Sequence, residues 1–140
     1  AAAVADFRPT EVASQKIKKA EGVPEIRLVP TTDILAELGR QRTGRQVLVG
    51  FAAETADLQE NAVAKLAAKR IDLIVANDVS VPGVGFGHDT NAVMVIDAEG
   101  VVVEVPLTSK SEVARVVTDV ALQTFRSSSD GVWSVDEEVQ

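Results

Sequence analysis

Two continuous apolar runs, Val47-Leu48-Val49-Gly50-Phe51 and Leu73-Ile74-Val75-Ala76, stand either side of a segment with helical spacing. Runs like these suit strands buried on both faces of a parallel sheet. Parallel neighbours need a crossover, normally a right-handed helical one. Residues 46–51 and 72–76 are therefore expected to be strands, with a helix between them. Thr55 can cap that helix, with Asp57 in its first turn. Leu58, Ala62, Leu66 and Ala67 would face the sheet. The expected fold class is α/β: a Rossmann-like, mainly parallel sheet flanked by helices, with an added antiparallel hairpin.

The remaining segments fit around this unit. Residues 1–5 read as a first strand, with Asp6 at its carboxyl end. Residues 25–29 alternate polar and apolar, as a half-buried strand does. Thr31 and Thr32 can cap a short helix over residues 33–38. Residues 91–96 and 101–105 form two strands around Asp97-Ala98-Glu99-Gly100, a hairpin signal. Ser109 and Glu112 form a capping box opening a helix to about Phe125, with Val113, Val116, Val117, Val120 and Ala121 inside. Residues 126–140 are serine-rich and acidic and are expected to be a mobile tail after a domain spanning 1–125. An alanine-rich strand without an initiator methionine suggests a piece of a longer protein; the alternative is a processed edge strand.

Composition narrows the function classes. The 140 residues suit one core, and the net charge of -7 argues against a broad nucleic-acid footprint. There is no cysteine, which removes disulfides, thiolate nucleophiles and cysteine metal sites, and fits a reducing compartment. No apolar run is long enough to span a membrane. A cytoplasmic location is expected.

Several residues suggest chemistry, each with a plainer alternative. Asp6 stands at a strand end where open sheets bind ligands; it could equally cap a turn. Lys16, Lys18 and Lys19 are a basic cluster in an acidic chain, either a phosphate contact or a solvated face. Lys65 and Lys69 lie four apart on one helix face, as a phosphate handle or as cations relieving the dipole. His88, the only histidine, has no evident partners. Gly83-Val84-Gly85-Phe86-Gly87 lacks the dinucleotide-binding spacing and precedes a strand.

Taken together, Ala1-Ala2-Ala3-Val4-Ala5-Asp6-Phe7-Arg8-Pro9, Lys16-Ile17-Lys18-Lys19, Thr32-Asp33-Ile34-Leu35, Gly50-Phe51-Ala52-Ala53-Glu54-Thr55 and Ala76-Asn77-Asp78-Val79 resemble phosphopantothenoylcysteine synthetases. These form the ligase half of a bacterial bifunctional coenzyme A biosynthesis protein. The resemblance runs to about Phe125. It implies CTP-dependent joining of 4'-phosphopantothenate to cysteine through an acyl-cytidylate, with Mg2+ accompanying CTP. It also implies a homodimer and a possible fused decarboxylase half, which alone would carry FMN. Carried over by residue, Ala1, Ala2, Asp6, Lys16, Thr32, Asp33, Ile34, Leu35, Phe51, Lys65 and Lys69 would contact nucleotide, Asp6 would also hold the metal, and Lys16 and Asn77 would be catalytic. Thr32 replaces the family's proline. Two other readings stay open: a non-catalytic nucleotide-binding or dimerisation module on this scaffold, and a nicotinamide-dependent oxidoreductase.

Overall fold

A computed structural model describes residues 4–18, 22–43, 45–54, 58–79 and 87–128, apart from the side chains of Glu54 and Asp78. Two units emerge, one ending at Ile34 and one starting at Leu35.

In the first unit, strand β1 (Phe7–Pro9) pairs antiparallel with β2 (Leu28–Pro30), Arg8 opposite Val29. The ladder continues beyond both ends: Thr10 N–H donates to the Arg27 carbonyl at 2.9 Å and Thr31 N–H to the Asp6 carbonyl at 2.8 Å. The expected strand over 1–5 is corrected where it can be seen. Val4 and Ala5 are exposed and not in a strand, and residues 1–3 lie outside the described residues. Alanine is a poor strand former, and pairing starts instead at Phe7. The strand expected over 25–29 likewise shrinks to Leu28–Pro30.

The second unit holds the core. Helix α1 (Ile34–Gln41) runs three residues past its expected end, carrying Gly39 into a buried position. Strand β3 (Val49–Glu54), helix α2 (Leu58–Lys69) and strand β4 (Leu73–Asp78) form the expected crossover. The strands pair in parallel from Val49 opposite Leu73 to Glu54 opposite Asp78. Strand β3 starts three residues later than the strand expected from residue 46. Leu48 N–H donates to the Asp72 carboxylate at 2.7 Å, and the Leu48 carbonyl accepts from the amides of Asp72 and Leu73. Residues before Val49 are thus tied to the turn ahead of β4, outside the ladder.

Strands β5 (Thr90–Asp97) and β6 (Gly100–Ser109) extend the same sheet in the order β3-β4-β5-β6, both added antiparallel. Their turn is held by Asp97 Oδ1, which accepts from Glu99 N–H at 2.8 Å and Gly100 N–H at 3.0 Å. Gly100 sits at φ +135, where a side chain would be strained.

Helix α3 (Lys110–Ser127) opens as expected, Ser109 Oγ accepting from Glu112 N–H at 3.2 Å. It ends two residues beyond Phe125, so Arg126 and Ser127 are helical; residues 129–140 of the expected tail lie outside the described residues.

Helices α2 and α3 cover opposite faces. Ala62 and Leu66 pack with Ala52, Ile74, Ala76 and Ile96 on one face. Val113 and Val120 pack with Leu73, Val75, Val93 and Val95 on the other. Alternate residues of β4 therefore enter different cores, explaining its unbroken apolar run. Ala67 was expected to face the sheet but is exposed; Val63 packs there instead.

Candidate functional site

The carboxyl ends of β3 and β4 are the natural ligand end of such a sheet. Side chains alternate along β4, so Asn77 shares the α3 face with Leu73 and Val75. Its strand neighbour Ala53 lies opposite on β3, and Phe51, opposite Val75, sits one step earlier on the same face. Phe51 is 63% exposed, unusual for a phenylalanine in a parallel pair. Asn77 is half-buried, with Nδ2 3.5 Å from Asn91 Oδ1. Asn91 Oδ1 also accepts from Ala92 N–H at 3.1 Å, which fixes that amide. An aromatic face and two amides thus lie together near the start of α3. Such groups suit stacking and neutral hydrogen bonding.

Sequence reasoning singled out Phe51 and Asn77, and the structure brings them to one end and one face. It missed Asn91, whose only signal was an amide at the mouth of a strand. Lys65 and Lys69 are elsewhere. Helix α2 begins at Leu58 beside Ala76, near the carboxyl end of β4, and ends where the Lys69 carbonyl meets Gly39. Both lysines occupy its last two turns, toward the amino ends of the strands and on the other face, and both have interaction partners. Leu35 packs into the α2-side core.

The other expected contacts lie in the first unit or outside the described residues. Lys16 and Lys18 are exposed outside any helix or strand; Lys19 lies outside the described residues. Asp6 is exposed at a bend, its carbonyl bonded to Thr31. Thr32 and Asp33 are exposed just ahead of α1, and Ile34 begins it. Ala1, Ala2, the cap residues Thr55 and Asp57, and the glycines Gly83 and Gly85 lie outside the described residues; Gly87 is exposed at φ +80. His88 is exposed. Among the described residues, no group of three or more His, Cys, Asp or Glu stands together.

A second concavity, of about 460 Å³, lies at the amino end of the sheet between Leu38, Val47, Leu48, Leu122 and Phe125. The Arg45 guanidinium sits 4.6 Å from the Phe125 ring centroid, a cation–π contact at its rim.

Comparison with known proteins adds the family. Residues 1–124 match the family described as the DNA/pantothenate metabolism flavoprotein C-terminal domain. A cysteine/cysteine sulfinic acid decarboxylase from an unknown prokaryotic organism is 48% identical over 114 residues, covering 81% of this chain and 32% of that protein. The coenzyme A biosynthesis bifunctional protein CoaBC of Bacillus subtilis is 51% identical over 113 residues, covering 81% and 28%. The chain thus spans about a third of the length of these relatives. The crystal structure of the C-terminal domain of CoaBC superposes with a TM-score of 0.67 at 39% identity, over 90% of this chain and 55% of that one. The DNA/pantothenate metabolism flavoprotein from Streptococcus pneumoniae superposes at 0.64 with 20% identity, a likeness of fold.

These findings correct the expected ligase. The family is described as a flavoprotein domain, and the activity named among these relatives is a decarboxylation. The expectations of a CTP-dependent ligase, of CTP and Mg2+ as its cofactors, of 4'-phosphopantothenate and cysteine as its substrates, and of FMN confined to a separate half all give way. The physical side agrees in one respect: the lysine pair offered as a nucleotide handle stands away from Phe51 and Asn77. The family description implies a flavin. Phe51, Asn77 and Asn91 offer stacking and neutral hydrogen bonds but no charge for a flavin's phosphate, so they do not fit it as a cradle. The coenzyme A part of the resemblance and the α/β fold stand. Among the described residues no helix is long and apolar enough to cross a membrane. The chain belongs to the DNA/pantothenate metabolism flavoprotein C-terminal domain family.

Proposed function

We propose that this chain serves as a domain of a pantothenate-metabolism flavoprotein of coenzyme A biosynthesis, in a polypeptide that decarboxylates 4'-phosphopantothenoylcysteine in the cytoplasm. The observation that carries this reading is the family match across 124 of 140 residues, joined by relatives at 48% and 51% identity. This chain's own part is binding. Phe51 gives an apolar face, and the Asn77 and Asn91 amides hydrogen-bond the neutral amide groups of a pantothenoyl chain.

The test is carbon dioxide release by the longest native polypeptide containing this chain. Three substrates are compared: 4'-phosphopantothenoylcysteine, cysteine and cysteine sulfinate. Release from the first alone supports the proposal. Release from free cysteine or its sulfinate alone replaces it with an amino-acid decarboxylase, the reading that the 48% relative favours. No release from any of the three overturns both.

A further inference from the structure

A single backbone amide orients both asparagine side chains at the carboxyl end of β4. Ala92 N–H can only donate, and it lies 3.1 Å from the Asn91 side-chain oxygen, so Asn91 Oδ1 is the acceptor and Nδ2 takes the other branch. The same Oδ1 stands 3.5 Å from Asn77, where only Nδ2 can donate to it. Orientation therefore passes from the backbone to Asn91, and from Asn91 to Asn77. The two meet beyond the β4–β5 ladder, which runs from Ile74 opposite Ile96 to Ala76 opposite Met94. Asn91 is in step with Val93 and Val95 on its strand, as Asn77 is with Leu73 and Val75, so both share the α3 face with Phe51. Two polar atoms are left over. Among the described residues Asn77 Oδ1 and Asn91 Nδ2 have no hydrogen-bond partner, and both residues are half-buried. No fully enclosed side-chain polar atom among those residues lacks a partner, so these two reach solvent.

We infer that Asn91 sets the polarity of this site, which offers one fixed acceptor, Asn77 Oδ1, and one fixed donor, Asn91 Nδ2, to a single amide group of the ligand. The ligand's N–H donates to Asn77 Oδ1, and its C=O accepts from Asn91 Nδ2. A free carboxamide could not select in this way, because a flip exchanges its donor and its acceptor. An ester in the same place keeps the carbonyl but has no N–H, and leaves Asn77 Oδ1 against a second acceptor. A polar group left unpaired in that manner separates close analogues strongly. The inference rests on the pantothenoyl reading above and goes further, assigning which atom of each asparagine meets which atom of the amide. Asn91 thereby acts partly as a positioning residue, through Asn77.

The experiment uses the longest native polypeptide that contains this chain. Titration calorimetry compares 4'-phosphopantothenoylcysteine with an analogue whose pantoyl–β-alanine amide is replaced by an ester. The amide compound is expected to bind about 10- to 100-fold more tightly. Asn91→Asp keeps an oxygen for Ala92 N–H and Asn77 Nδ2 but loses the outward donor. It should weaken both compounds by about 10-fold and keep the preference for the amide. Asn91→Leu leaves Asn77 free to flip and should remove the preference, while circular dichroism reports whether the fold is kept. Equal affinity for the two compounds in the unaltered protein overturns the inference. So does a preference that survives Asn91→Leu, or one that is lost in Asn91→Asp. Carbon dioxide release from 4'-phosphopantothenoylcysteine alongside any of these results leaves the decarboxylation reading standing and removes only the paired amides. Neither binding nor release removes both.

Discussion

Arg42 and Asp72 form a 2.9 Å ion pair that ties the loop after α1 to the turn before β4, their side chains 29% and 18% exposed. Asp72 uses its second carboxylate oxygen to hold Leu48 N–H at 2.7 Å, and Arg42 also donates to the Gln46 carbonyl. Asp72→Ala leaves a part-buried cation and an amide without their acceptor. The expected cost is about 2–4 kcal/mol in urea unfolding. Arg42→Met keeps the Leu48 bond and should cost less than half as much. Equal losses from the two variants would show that the ion pair, rather than the backbone bond, governs the brace.

Gly39 makes the opposite point about helix propensity. A Cβ there would run into the Lys69 carbonyl oxygen, with the Arg70 oxygen at 3.1 Å. Both are backbone atoms with little room to give. Gly39→Ala should therefore lower stability by about 1–3 kcal/mol, although alanine is the better helix former by about 1 kcal/mol. A rise in melting temperature would disprove the close passage of α1 over the end of α2.

Arg70 ends α2 with φ 55, a left-handed conformation that glycine normally supplies. Ile71 N–H donates to the Leu66 carbonyl at 3.2 Å and Arg70 N–H to the Ala67 carbonyl at 3.3 Å, which together form a Schellman motif. Arg70→Gly should relieve the Cβ strain and raise stability by about 0.5–1 kcal/mol. Thermal unfolding decides it, and a loss of stability would show that the arginine side chain outweighs the strain.

The first turn of α3 gives a pH dependence. Glu112 accepts from Arg115 Nε at 3.1 Å and Nη2 at 2.6 Å, and Arg115 Nη1 donates to Asp119 at 2.9 Å. The Arg115 hydrogen bond holds the Glu112 carboxyl below its ordinary range. A carboxylate with a lowered folded-state pKa stabilises the fold above its unfolded pKa. That contribution is lost as pH falls through the lowered value. Carboxyl NMR should show Glu112 titrating below a free glutamate, and Arg115→Gln should return it to the ordinary range. An unchanged titration in the variant would remove Arg115 as the cause.

Much of this fold was legible because local and tertiary preferences agree. The crossover from β3 to β4, the Asp97 turn and the Ser109 cap each rest on short-range chemistry that the tertiary structure then uses. Boundaries were less legible where a side chain took over the backbone's bonds. Leu48 reads as strand, but Asp72, 24 residues away, claims its amide. Glu112 reads as half of a reciprocal cap, but its carboxylate turns to Arg115. At the candidate site, Phe51 and Asn77 were singled out through the resemblance, not through their place on the strands. Asn91 could not be, since its meeting with Asn77 depends on the antiparallel register of β5. The lysine pair misled for a simple reason: helical spacing fixes a face, but not which end of the sheet that face reaches. The ligase reading erred differently, because motifs shared across a resemblance carry the scaffold further than they carry the chemistry.

Strand β4 is a wall one residue thick. Ile74 and Val75 are joined by a single peptide bond, yet one belongs to the α2 core and the other to the α3 core. Each core can then drift in sequence on its own terms: a change of volume at Ile74 is answered by Ala62 or Leu66, and one at Val75 by Val113 or Val120. Adjacent codons of β4 should record separate histories, each following a different helix.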